Sequence, residues 1–141
     1  MLGGSKDSAM NKLTKDVLEW SIPDGTVQYG EPMLYRQTDF ATLCTYNSSI
    51  RAGRPFIYCV GGCRSFFDIT SRPSNSRLDL ISNKWETLPT IDETTDFHTS
   101  NYQNVSLTLA GRARYLCAFW LSQQPGHLTY AVLDTHKNQK W

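Results

Sequence analysis

Three groups of residues in this 141-residue chain have the types from which catalytic or ligand-binding chemistry is built. Gly3-Gly4-Ser5-Lys6 has the composition of a phosphate loop, in which backbone N–H groups cradle an anion and a lysine balances its charge. Such a loop needs a strand and an earlier glycine upstream, and neither stands before Gly3. Cys59 and Cys63 could supply half of a zinc site, but no second ligand pair lies at zinc-site spacing. His98, His127 and His136 are the candidate general bases. A triad is assembled in space, yet none of the three has a carboxylate and a nucleophile nearby in an interpretable pattern, and all read as exposed loop histidines. The expectation is therefore no catalytic residue, no metal and no cofactor. The four cysteines (Cys44, Cys59, Cys63, Cys117) lie mostly within apolar runs and read as buried thiols acting as small hydrophobes, not as disulfides. Asn47-Ser48-Ser49 and Asn104-Val105-Ser106 match the glycosylation sequon, which matters only in an exported protein.

Hydrophobic residues at 40% and aromatics at 12% argue against disorder. Fourteen basic and thirteen acidic residues leave a net charge of +1, so neither nucleic acid nor a membrane surface is an expected partner. No apolar run approaches the roughly 20 residues that span a bilayer, and residues 1–12 lack the layout of a secretion signal. A soluble protein of a reducing compartment, the cytoplasm, is the expectation.

The elements that must position these residues read as strands. The runs "ATLCTY" (41–46), "PFIYCV" (55–60), "RLDLI" (77–81), "VSLTLA" (105–110), "RYLCAFWL" (114–121) and "TYAVLD" (129–134) are rich in β-branched, aromatic and leucine residues, with turn formers between them. Met10, Leu13, Val17 and Leu18 have helical spacing, but their window is short and uncapped, so no helix is expected there. The strand 55–60 is expected to stop at Gly61-Gly62. A double glycine also stands at Gly3-Gly4, and Gly4 and Gly62 are 58 residues apart. The same step overlays "IYCVGGC" (57–63) on "YLCAFWL" (115–121), placing Cys59 on Cys117 and replacing the glycines by Phe119 and Trp120. Asp79 is followed by Trp85, and Asp134 by Trp141. The first unit, "DVLEWSIPDGTVQYGEP" (16–32), has the strand and turn but no tryptophan in its second strand.

A fixed period of this length, with four strands in each unit, marks a propeller-like array. Val60-Gly61-Gly62, Leu78-Asp79, Asn83-Lys84-Trp85 and Leu88-Pro89 together resemble the kelch repeat. The resemblance implies an all-β fold, an incomplete β-propeller arc of four-stranded antiparallel blades. Residues 1–32 would form a partial, degenerate first blade, 33–89 a kelch-like blade, and 90–141 a degenerate blade incomplete at its fourth strand. It gives structural roles to Gly61, Gly62, Asp79, Trp85, Asp134 and Trp141: the glycines allow close backbone approach and unusual φ/ψ, and Trp85 fills the space between blades. The third blade must pack differently where Phe119 and Trp120 break the pattern. About two and a half blades cannot close a ring of 4–8, so a fragment of a longer propeller is expected, with further blades in the same chain or in another.

Loop lengths then separate the two ends of the blades. "NSSIRAGR" (47–54), "GRA" (111–113), "SNK" (82–84) and "HKNQ" (136–139) lie at one end and are mostly short. The other end has "CRSFFDITSRPSNS" (63–76), "SQQPGHL" (122–128) and the connection 90–104 with Asp92, Glu93 and Asp96. Arg64, Phe66, Phe67 and Arg72 on the first of these long loops are residue types enriched at interfaces. The expected function is a non-catalytic interaction module that presents these loops to a protein partner. The alternatives are a structural piece of a larger assembly, or an oxidoreductase of the galactose-oxidase-like type using Tyr58, Tyr115 and the cysteines.

Overall fold

The computed structural model describes residues 2–5, 13–45, 55–63, 75–91, 105–111, 114–121, 128–137 and 141. Among them the secondary structure is all strand and turn, with no helix. The strands are β1 (Leu2–Ser5), β2 (Leu13–Ser21), β3 (Thr26–Tyr29), β4 (Thr38–Thr45), β5 (Phe56–Cys63), β6 (Ser76–Asp79), β7 (Lys84–Thr87), β8 (Ser106–Ala110), β9 (Tyr115–Leu121) and β10 (Leu128–Asp134). All pair antiparallel with their chain neighbours in three sheets: β1-β2-β3 (sheet I), β4-β5-β6-β7 (sheet II) and β8-β9-β10 (sheet III). No described helix is long and apolar enough to cross a membrane.

The sheets are layered with sheet II in the middle. A strand turns successive side chains to opposite faces, and β5 fills both. Phe56, Tyr58 and Val60 share a core with Leu116, Ala118, Trp120 and Leu133 of sheet III. Ile57 and Cys59, with Phe40 and Trp85, pack on Val17 and Met33 beside sheet I. This is why "PFIYCV" is an unbroken apolar run, since each face lies against a neighbour. Each large side chain so buried contributes roughly 1.5–3 kcal/mol.

Two details differ from the sequence-based expectation. Strand β5 does not stop at Val60 but continues to Cys63 through the glycines, with Gly61 paired to Phe40. Both glycines have φ 80, a backbone region costly for residues with a Cβ, so they bend the strand without ending its pairing. The overlay of β5 on β9 is also displaced by one residue. Phe56 pairs with Asp79 and Tyr115 with Asp134, which aligns Phe56 with Tyr115 and Cys59 with Ala118. A one-residue slip moves every side chain to the other face. Accordingly Cys59 and Ala118 both point at the preceding sheet, and Cys117 does not. Trp120 therefore takes the place of Gly61. The partner strand compensates in size: Phe40 stands opposite Gly61, and continuing the register of β8 sets Val105 opposite Trp120.

The hairpins of sheets I and II share one turn. Ser21 pairs with Thr26, and Asp79 with Lys84, each across four residues. The last of the four is left-handed in both, Gly25 at φ 63 and Asn83 at φ 52. Replacing Gly61 with Ala is expected to lower unfolding stability in urea by about 1–2 kcal/mol. Asn83→Gly, at a position that already favours glycine, is expected to leave it unchanged or slightly raised.

Candidate functional site

The chemistry of this chain is concentrated where the sheets join. Strand β7 ends at Thr87, and the carbonyl of Pro89, just beyond it, is an acceptor shared by two side chains. Trp141 Nε1–H donates to it at 2.8 Å and Asn75 Nδ2–H at 3.0 Å. The Oδ1 of Asn75 accepts the Gly61 N–H at 3.1 Å. Asn75 is buried and precedes β6, where the bent end of β5 leaves β6. It thus replaces the ladder bond that the glycine bend removes, and connects β5, the chain leaving β7 and the tryptophan seated beside sheet III.

The same attachment exists one junction earlier. Glu31 stands 58 residues before Pro89, and its carbonyl accepts Trp85 Nε1–H at 3.0 Å. The backbone around it repeats too: Gly30 N–H donates to Val17 O at 2.9 Å, and Leu88 N–H to Asn75 O at 2.8 Å. In each case the tryptophan of one sheet bonds the segment that leaves the sheet before it. Trp85 joins the core against sheet I, and Trp141 the core against sheet II.

The two aspartates make a second repeated device. Asp79 Oδ1 accepts the N–H of Ile81 at 2.9 Å and of Ser82 at 3.3 Å. Asp134 Oδ1 accepts the N–H of His136 at 3.0 Å. The residue after each aspartate also bonds back to the strand start: Leu80 N–H to Pro55 O at 3.0 Å, and Thr135 N–H to Arg114 O at 2.8 Å. Both are Asx turns, in which a carboxylate substitutes for turn backbone. Partial burial works to raise the Asp134 pKa. Hydrogen bonds from Arg114 and the His136 backbone, with the Arg114 and Lys137 charges, outweigh it and hold the carboxyl below its ordinary value.

The remaining candidates are scattered. Cys59 is buried and burial pushes its thiol up to about 12, so it is protonated at neutral pH. Cys44 is exposed, against the expectation of a buried thiol, and Cys117 is half-buried; all three are free. Tyr58 faces sheet III, where burial raises its pKa against the opposing effect of Arg77 and Thr135 hydrogen bonds. Cys59 faces sheet I, and Tyr115, by alternation with Leu116, lies on the face of sheet III away from sheet II. These tyrosines and cysteines do not converge. His136 sits in an exposed turn, while His98, His127, Arg64, Phe66, Phe67 and Arg72 lie outside the described residues, as do both sequon asparagines. Among the described residues no three His, Cys, Asp or Glu side chains gather as a metal site could.

Sequence reasoning missed Asn75, which looked like one more polar residue of a loop. It also missed Arg77, whose guanidinium stacks on the Phe56 ring at 4.2 Å and pairs with Glu86 at 2.6 Å. No protein-family model and no curated protein matches the chain.

Asn75→Ala leaves the Gly61 N–H without its acceptor inside the protein. A loss of about 1–3 kcal/mol is expected in urea unfolding. Asn75→Asp, which retains the acceptor, is expected to cost less than the alanine variant in the same measurement near neutral pH.

Proposed function

We propose that this chain is a non-catalytic, kelch-like interaction module, its three sheets consecutive blades of a β-propeller arc with boundaries near 1–32, 33–89 and 90–141. The observation that carries this reading is the repeated attachment, a tryptophan indole on a carbonyl 58 residues from its counterpart. Few arrangements other than a stack of like units would recreate a long-range hydrogen bond at a fixed period. The described chemistry supports a scaffold: its buried polar groups are engaged in joining sheets and closing turns.

Antiparallel pairing separates the two ends of sheet II. Thr45, Phe56, Asp79 and Lys84 lie at one end, with the turn 80–83. Thr38, Cys63, Ser76 and Thr87 lie at the other, where the chain leaves towards 64–74 and beyond 91. The reading gives this second end the binding role, through Arg64, Phe66, Phe67 and Arg72, to a protein partner. Gln37, which precedes Thr38, supports the choice. It is buried with neither side-chain amide atom hydrogen-bonded, and buried polar groups are ordinarily paired.

The test uses the whole chain as bait. Alanine at Arg64, Phe66, Phe67 and Arg72 together is expected to abolish capture of protein partners. Leu80→Ser with Ile81→Ser, at the opposite end, is expected to retain it. Equal capture by both variants and the native chain would place binding elsewhere.

A further inference from the structure

Sheet II is covered on both faces, and sheets I and III on one each. The second face of sheet I presents Leu18, Trp20, Val27 and Tyr29, cross-strand partners on β2 and β3. Trp20 is 69% exposed and Tyr29 77%. The second face of sheet III presents Phe119 and Tyr130, whose rings lie 6.3 Å apart, with Leu121, Leu128 and Val132. Tyr130 is 64% exposed and Leu121 66%. None of these side chains is charged. Trp20 and Tyr29 alone expose on the order of 300 Å² of aromatic surface, already the size at which an apolar patch marks an interaction site.

The two faces are opposite halves of one junction. Sheet II grips sheet I with the face carrying the cross-strand pair Leu78 and Trp85. Aligning the four-residue turns puts Trp20 and Val27 at those two positions in sheet I. The tryptophan has changed strands, but the pair of one indole and one aliphatic side chain is kept, on the same face. This free face of sheet I is therefore a gripping face with nothing to grip. Sheet II receives sheet III on the face carrying Phe56, Tyr58 and Val60. The alignment of Phe56 with Tyr115 puts Tyr115, Cys117 and Phe119 on the corresponding face of sheet III. That free face is a receiving one.

We propose that the two faces dock on each other between copies of this chain, head to tail, with the Trp20 face of one copy seated on the Tyr130 face of the next. The chain makes junctions of this handedness twice within itself, so a second copy needs no new chemistry to make a third. Such a contact is heterologous, closing into a ring if the rotation permits and extending if it does not. This inference depends on the stacking of the sheets, and not on the loops given the binding role above.

Sedimentation velocity on the native chain, up to about 100 μM, is expected to show species at least twice the monomer mass of 16.0 kDa. Trp20→Glu and Tyr130→Lys, both at exposed positions, are each expected to give monomers with unchanged far-UV circular dichroism. Mixed in equal amounts, they retain one intact face of each kind and are expected to form a complex of two. A native chain that stays monomeric overturns the proposal. So does association disrupted by only one of the two substitutions, or a mixture of the variants that remains monomeric.

Discussion

A backbone carbonyl just past the last strand of one sheet is where the next sheet attaches. The Glu31 carbonyl receives the Trp85 indole and the Pro89 carbonyl receives that of Trp141. Apolar burial provides most of the driving force for stacking, but it is indifferent to register. Two flat apolar faces can slide or rotate over each other at small cost. An indole N–H that must reach one carbonyl fixes the position, because missing it leaves polar groups unpaired near a core. At the second junction Asn75 ties the same carbonyl to Gly61, so the bend of β5 and the seating of Trp141 depend on one amide.

Around these fixed points the side chains vary in compensating pairs. Phe40 opposite Gly61 in sheet II corresponds to Val105 opposite Trp120 in sheet III. Leu78 opposite Trp85 corresponds to Trp20 opposite Val27 in sheet I. In both cases a large and a small side chain have exchanged strands while sharing a face, so the layer filled between sheets keeps its thickness. Volume-conserving exchanges of this kind are the ones that close-packed cores tolerate best. The unit at 105–141 thus packs as the others do despite lacking the double glycine.

The strands were legible because β-branched and aromatic runs alternate with turn formers, and the period because glycines, aspartates and tryptophans recur on it. The register of β9 was not legible. The coincidence of Cys59 and Cys117 suggested a step of 58, whereas pairing with the aspartates makes it 59 along that strand. One residue is a small error along a sequence and a complete one across a sheet. The first unit looked deficient because its tryptophan was sought on β3, when it stands across the ladder at Trp20. Asn75 gave no signal, since a buried asparagine that caps a bent strand resembles in sequence any asparagine of a Ser- and Pro-rich loop. The residues with the most interface-like composition, Arg64 to Arg72, are legible only as types.

The claim that two indole-to-carbonyl bonds set the stacking can be read from the tryptophans themselves. The chain has four, Trp20, Trp85, Trp120 and Trp141, and each indole N–H gives its own signal in a nitrogen-15 NMR spectrum of the labelled protein. The most direct measurement is the rate at which each exchanges with solvent in the Trp20→Glu variant, where Trp85 and Trp141 are retained and self-association is suppressed, with Trp20 recorded in dilute native protein. The account predicts that Trp85 and Trp141 exchange clearly more slowly than Trp20. Exchange of Trp85 and Trp141 as fast as Trp20, in protein whose circular dichroism shows intact sheet, would contradict it.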